Sequence, residues 1–151
     1  MSSWNYPAMT CIHALAAAIA AGNTAVVKPS EIAAHSAEVI RELVEKYLDR
    51  NAFKVIIGGV EFSKEITKLP WATIAFTGST EKGKLVSAAA APNLTPVILE
   101  LGGKSPMVID QGCNLDWTVD RAVFGRFINA GQTCIAPDYF LVHEKIAPQF
   151  K

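Results

Sequence analysis

Short apolar runs alternate with amphipathic stretches along nearly the whole chain, and glycines punctuate many of the joints. That alternation constrains the fold more than any other feature. A strand that is apolar on both faces needs cover on both, and helices with one apolar stripe supply it. Strands are expected at residues 24–27, 53–57, 73–76, 97–99, 107–109 and 139–142. Helices are expected at 8–21, 36–48, 61–68, 80–91 and 116–128. In the second of these, Ile40, Leu43, Val44, Tyr47 and Leu48 share one face, and Gly22 is placed to end the first. Strand–helix repetition of this kind implies an α/β fold, a parallel sheet with helices on both faces and right-handed crossovers. The pattern changes after Gly102-Gly103, which divides the chain into domains at 1–100 and 101–151. No repeat and no low-complexity linker interrupts it.

Composition narrows the function classes. The chain has 151 residues, half of them hydrophobic, and a formal net charge of +0. A compact chain of this size could bury roughly 70% of its unfolded surface. Scattered single Lys and Arg residues are ordinary solvated faces and give no basic footprint for nucleic acid. Cys11, Cys113 and Cys134 form an odd, widely spaced set with no CxxC pair, which argues against zinc and against a disulfide framework. A reducing, cytoplasmic setting follows as the expectation. The apolar run at 8–21 contains His13, lacks a preceding basic residue and is too short for a membrane span, so a buried helix is expected. His13, on its apolar face, is then a core histidine.

Four segments hold residues that could do chemistry. Phe76-Thr77-Gly78-Ser79-Thr80 joins a strand to a helix, a geometry that offers backbone N–H groups to phosphate. It lacks the GxGxxG spacing, and a tight turn capped by Ser79 or Thr80 explains it equally well. Lys28-Pro29-Ser30-Glu31 follows a strand at its carboxyl end, where ligands gather in open α/β sheets. A cation and a carboxylate three residues apart could grip ribose hydroxyls, or simply line a loop. Glu100 ends an apolar strand before two glycines. It reads as a general base in a part-apolar cleft or as a surface carboxylate. Cys134 follows Asn129-Ala130-Gly131-Gln132-Thr133, a helix end and glycine turn. Such a cysteine is either a presented nucleophile or a small buried hydrophobe.

Together and in this order, the segments resemble the central part of the aldehyde dehydrogenase superfamily. The resemblance runs from Trp4-Asn5-Tyr6-Pro7 through Ala20-Ala21-Gly22-Asn23, Lys28-Pro29-Ser30-Glu31, Phe76-Thr77-Gly78-Ser79-Thr80 and Leu99-Glu100-Leu101-Gly102-Gly103-Lys104-Ser105-Pro106 to Gly131-Gln132-Thr133-Cys134. Tyr47-Leu48-Asp49, Gly58-Gly59-Val60-Glu61 and Ala136-Pro137-Asp138-Tyr139 look most like the branch acting on fatty and aromatic aldehydes.

The resemblance implies a Rossmann-like domain, incomplete here, leading into part of a catalytic domain. It implies Cys134 as the nucleophile, with Asn5 and the Cys134 backbone N–H as oxyanion donors and Glu100 as the base. It also implies Lys28 and Glu31 as ribose ligands and Gly78 and Ser79 as the pyrophosphate turn. Glu31 should favour a free 2′-hydroxyl, so NAD is the expected cofactor, with NADP possible. No metal is implied. A small-molecule aldehyde is the expected partner, and the parent enzyme is expected to be a homo-oligomer. In the family a hydrophobic strand leads into the Trp-Asn segment where Met1-Ser2-Ser3 stand here. The later glutamate for the nicotinamide ribose, the oligomerisation strand and much of the substrate funnel have no counterpart in this chain. The expectation is therefore a fragment of an NAD(P)-dependent aldehyde dehydrogenase. The alternative is a catalytically silent remnant with at most a nucleotide- or partner-binding role. Acyl-CoA formation or semialdehyde oxidation are the variants within the superfamily.

Overall fold

The computed structural model describes residues 1–150 as two units, one from Met1 to Leu101 and one from Gly102 onward. In the first unit the order is α1 (Pro7–Ala20), β1 (Ala25–Val27), α2 (Ala34–Tyr47), β2 (Phe53–Val55), α3 (Val60–Ile66), β3 (Ile74–Gly78), α4 (Thr80–Ala90) and β4 (Val97–Leu101). The second unit holds β5 (Ser105–Ile109), α5 (Leu115–Phe127), β6 (Pro137–Val142) and a single-turn α6 (Ala147–Phe150). Each strand and helix expected from the apolar pattern is present. Absent from those expectations are α6, the 3-10 turns at Glu31–Ala33 and Ala91–Asn93, and the kinked turn at Ile128–Gly131.

Among the described residues all strand pairing is parallel, in three two-stranded ladders: β1 with β2, β3 with β4, and β5 with β6. The first two ladders meet through Met1 and Ser2. The Met1 amino group donates to the Ala75 carbonyl at 2.8 Å. The Thr77 amide donates to the Met1 carbonyl at 3.1 Å, and the Ser2 amide donates to the Lys28 carbonyl at 3.1 Å. Two residues thus supply main-chain bonds to both ladders where the sequence comparison expects a full strand.

Two small cores hold the first unit. Cys11, Leu15, Val27, Ile40, Val44 and Val55 pack α1 and α2 against β1 and β2. Ile74, Val86 and Ala90 pack α4 against β3. Gly83 lets α4 sit close to β4, because a Cβ there would lie 2.8 Å from the Leu101 side chain. The buried seam of α2 is Ala37, Ile40 and Val44. Leu43 and Tyr47 are exposed, contrary to the face expected from sequence. Those two lie round the helix from a seam one residue wide, a distinction that apolar spacing alone does not draw. His13 is also exposed, since α1 buries only Cys11 and Leu15, one turn apart. It is not a core histidine, and α1 is covered on one side only.

Helix ends follow local chemistry. Gly22, at φ +73°, ends α1 with its amide on the Ile19 carbonyl, while the Asn23 amide bonds to Ala18. The same double bond closes the α4 end through Leu94 to Ala91 and Thr95 to Ala90, but there a leucine holds the left-handed position, at φ 53°. In the second unit the register slips beside Pro106, so that Ser105 pairs with Pro137 and Pro106 with Tyr139. Asp138 is the extra residue of this bulge, placed where proline cannot donate to a ladder.

Candidate active site

Lys28 follows β1 directly and is buried, at 4% exposure. Its ammonium donates to the Pro29 carbonyl at 3.2 Å and to the Glu31 carboxylate at 2.7 Å. Ser30 caps the short turn that carries Glu31 by accepting from the Ile32 amide. The hydrogen bond from Lys28 holds the Glu31 carboxyl below its ordinary titration range, helped by a backbone N–H. The two residues paired in sequence therefore form one unit: a cation with a carboxylate at its tip, the carboxylate side chain 39% exposed. That donor–acceptor pair suits vicinal sugar hydroxyls, which both give and take hydrogen bonds.

Gly78 ends β3, and Ser79 caps α4 by accepting the Lys82 amide at 3.3 Å. The Phe76 ring lies over Gly78, so that a Cβ at this position would come within 2.6 Å of it. The turn stays bare, next to a helix start whose first N–H groups have no partner within the helix. A diphosphate fits both the bare turn and the helix N-terminus. Glu100 stands on β4 directly across from Thr77, one residue before the Gly78 turn, and is exposed. Asn5 precedes α1 and is half-buried, with its Oδ1 accepting from the Ser3 hydroxyl at 2.6 Å.

Cys134 lies in the second unit, between α5 and β6, and is exposed, whereas Cys11 is buried and Cys113 half-buried. Cys11, which sequence reading treats as a packing residue, is one: burial raises its thiol pKa, partly offset by the Ser2 hydroxyl at 2.8 Å. Leading to Cys134, Asn129, Ala130 and Gly131 have φ of 52°, 57° and 76°. The Gln132 amide and side-chain Nε2 each donate to the Asn129 carbonyl at 3.1 Å. The Asn129 side chain donates back to the Gln132 carbonyl at 3.4 Å. The Cys134 carbonyl lies 3.6 Å from where a Cβ on Gly103 would be. Lys104, beside that glycine, pairs with Asp138 at 3.1 Å.

Sequence reading did not find this left-handed turn, because alanine carries no preference for it. It also missed the Lys104–Asp138 pair, whose partners lie far apart in the chain. Lys28 and Glu31 are the candidate residues in direct contact, and Glu100 adjoins the Gly78 turn through strand register. No group of His, Cys, Asp and Glu among the described residues could hold a metal ion. No helix among them is long and apolar enough to cross a membrane.

The chain is similar to known aldehyde dehydrogenases over nearly its whole length. Rat aldehyde dehydrogenase, dimeric NADP-preferring, is 46% identical over 99% of the chain and 33% of its own length. Rat aldehyde dehydrogenase family 3 member A2 is 48% identical over 93% of the chain and 29% of its own length. These relatives agree with the branch singled out above. A substrate-bound Staphylococcus aureus AldH structure superposes with a TM-score of 0.91 at 45% identity, covering 99% of this chain and 33% of that one. The chain thus spans about a third of the length of the relatives it matches. Residues 1–151 match the aldehyde dehydrogenase family throughout. By that match, and by the fold it shares with a solved member, the chain belongs to the aldehyde dehydrogenase family.

Proposed function

We propose that this chain carries the nucleotide-binding and nucleophile-bearing parts of an enzyme that oxidises a medium-chain or aromatic aldehyde to its carboxylic acid with NAD or NADP. The observation that carries the reading is the exposed Cys134, presented by its own turn in a member of this family. The Cys134 thiolate attacks the aldehyde carbon, and the carbonyl oxygen becomes an oxyanion. The Asn5 side-chain amide and the Cys134 backbone N–H take the role of its donors, each contributing about 3–4 kcal/mol. When bound, the nicotinamide supplies the hydride acceptor that leaves the substrate as a thioester on Cys134. Glu100 takes a proton from water, which then cleaves the thioester and frees the acid and the thiol.

Lys28 and Glu31 hold the adenosine ribose, and Gly78 with Ser79 receives the pyrophosphate. Glu31 disfavours a 2′-phosphate, but its charge is already offset by Lys28 at 2.7 Å. Both nucleotides are therefore accepted, with NAD favoured. The test is turnover of octanal or benzaldehyde with NAD or NADP, following nicotinamide reduction and acid formation together. Cys134→Ser is expected to lower kcat by at least about 10³-fold. A rate that survives this substitution removes Cys134 from the reaction.

A further inference from the structure

Among the described residues only Leu94, Asn129 and Ala130 are non-glycine residues with positive φ. Two of the three are consecutive, and with Gly131 they make a full left-handed turn that ends three residues before Cys134. An L-residue avoids this conformation because its Cβ crowds the following carbonyl, so a run of such residues persists only where its surroundings over-determine it. Here they do. The Asn129 carbonyl accepts from both the backbone and the side-chain amide of Gln132, and the Asn129 side chain donates to the Gln132 carbonyl. At Gly131 a Cβ would meet the Arg126 carbonyl at 3.2 Å, so the turn is seated against the end of α5. Beyond it, the Ala136 amide bonds to the Thr133 carbonyl at 3.1 Å, leaving Cys134 inside a second tight turn.

We infer that Asn129, Ala130 and Gln132 are positioning residues: their closed left-handed turn fixes the direction in which the Cys134 thiol is presented. The inference deepens the proposed function and rests on Cys134 being the nucleophile. None of the three needs to touch substrate, and each acts through the backbone of Cys134.

The test labels Cys134 with bromotrifluoroacetone in the Cys113→Ser chain, where Cys11 is 2% exposed and protected, and records the fluorine NMR line. One narrow resonance is expected. Ala130→Gly accepts φ 57° and should leave that line in place. Ala130→Val rejects it, and Gln132→Ala removes one arm of the clasp. Each should displace or split the resonance by more than its wild-type width. A second label, on Cys113 in the Cys134→Ser chain, should keep its line in every variant, which separates loss of positioning from loss of folding.

An unmoved Cys134 line in Ala130→Val and Gln132→Ala overturns the inference. A line displaced in Ala130→Gly as far as in Ala130→Val overturns it too, since the backbone angle would then not matter. Should Ala130→Val alone disturb the Cys113 line, Gln132→Ala decides, supporting the inference if the Cys134 line moves and overturning it if not. Disturbance of Cys113 in both variants also overturns it, because the turn would then hold the unit and not the thiol. The measurement needs no aldehyde and no nucleotide, so its failure is distinct from a failure of the catalytic reading.

Discussion

Lys28 is a buried ammonium whose recorded partners are one carbonyl and one half-exposed carboxylate, and the consequence is readable in acid. The hydrogen bond from Lys28 lowers the Glu31 pKa in the folded chain. Its stabilising contribution is complete above the unfolded carboxyl value of about 4.3. It is lost as pH falls through the depressed folded value, because the unfolded state then binds more protons. Lys28→Met should return the Glu31 titration, followed by carboxyl NMR shifts, toward the ordinary value and flatten the acid limb of the stability curve. Because Glu31 is partly solvated, the loss at neutral pH should be modest, about 1 kcal/mol. Cys11 works in the opposite direction. Burial raises its pKa, so its contribution is present below the ordinary thiol value and is lost as pH rises through the folded one. Cys11→Ala should remove that alkaline slope in denaturation midpoints measured against pH. The Lys28–Glu31 contact was within reach of the sequence, since three-residue spacing can bring a cation and a carboxylate together, whereas Cys134 stood out only through the family resemblance. The turn before Cys134 was not legible, since nothing in an alanine announces a left-handed backbone.

Two helix ends of the same geometry make a controlled pair. Gly22 and Leu94 occupy equivalent left-handed positions with matching double hydrogen bonds, yet only the glycine was readable as a helix stop. Leu94 is 89% exposed, so its side chain returns little burial for a conformation that costs an L-residue about 1–2 kcal/mol. Leu94→Gly should therefore raise stability by about 0.5–1 kcal/mol after the extra entropy of unfolded glycine is deducted, and Gly22→Ala should lower it by about 1 kcal/mol. Urea midpoints decide both, and a destabilising Leu94→Gly would mean that the leucine side chain is held by contacts its exposure does not reveal. Strand and helix positions followed from apolar spacing, whereas strand partners did not. A run such as Val97–Leu101 is apolar enough to be recognised as a strand, but nothing in it says that Glu100 will face Thr77.

The two units differ in how much they bury. The first has two apolar clusters, while the buried apolar residues of the second are Ile109, Ala122 and Ala136. Trp117, Phe124, Phe127 and Ile135 are each more than 60% exposed, which sequence reading could not foresee because it sees apolarity and not what covers it. Ile40→Ala should cost about 2–4 kcal/mol and act on the first unit. Native-state hydrogen exchange should show β5 and β6 opening at lower free energy than β1 and β2. Equal protection of the two would show that buried area does not rank them. The contact that joins the first two ladders lies 74 residues apart in the chain, from Met1 to Ala75. Each ladder closes a much shorter loop, β1 to β2 through α2 and β3 to β4 through α4. Loop-closure entropy therefore favours closing each ladder before the Met1–Ala75 contact that joins them. The joint between the two ladders carries a higher closure cost than either ladder it joins.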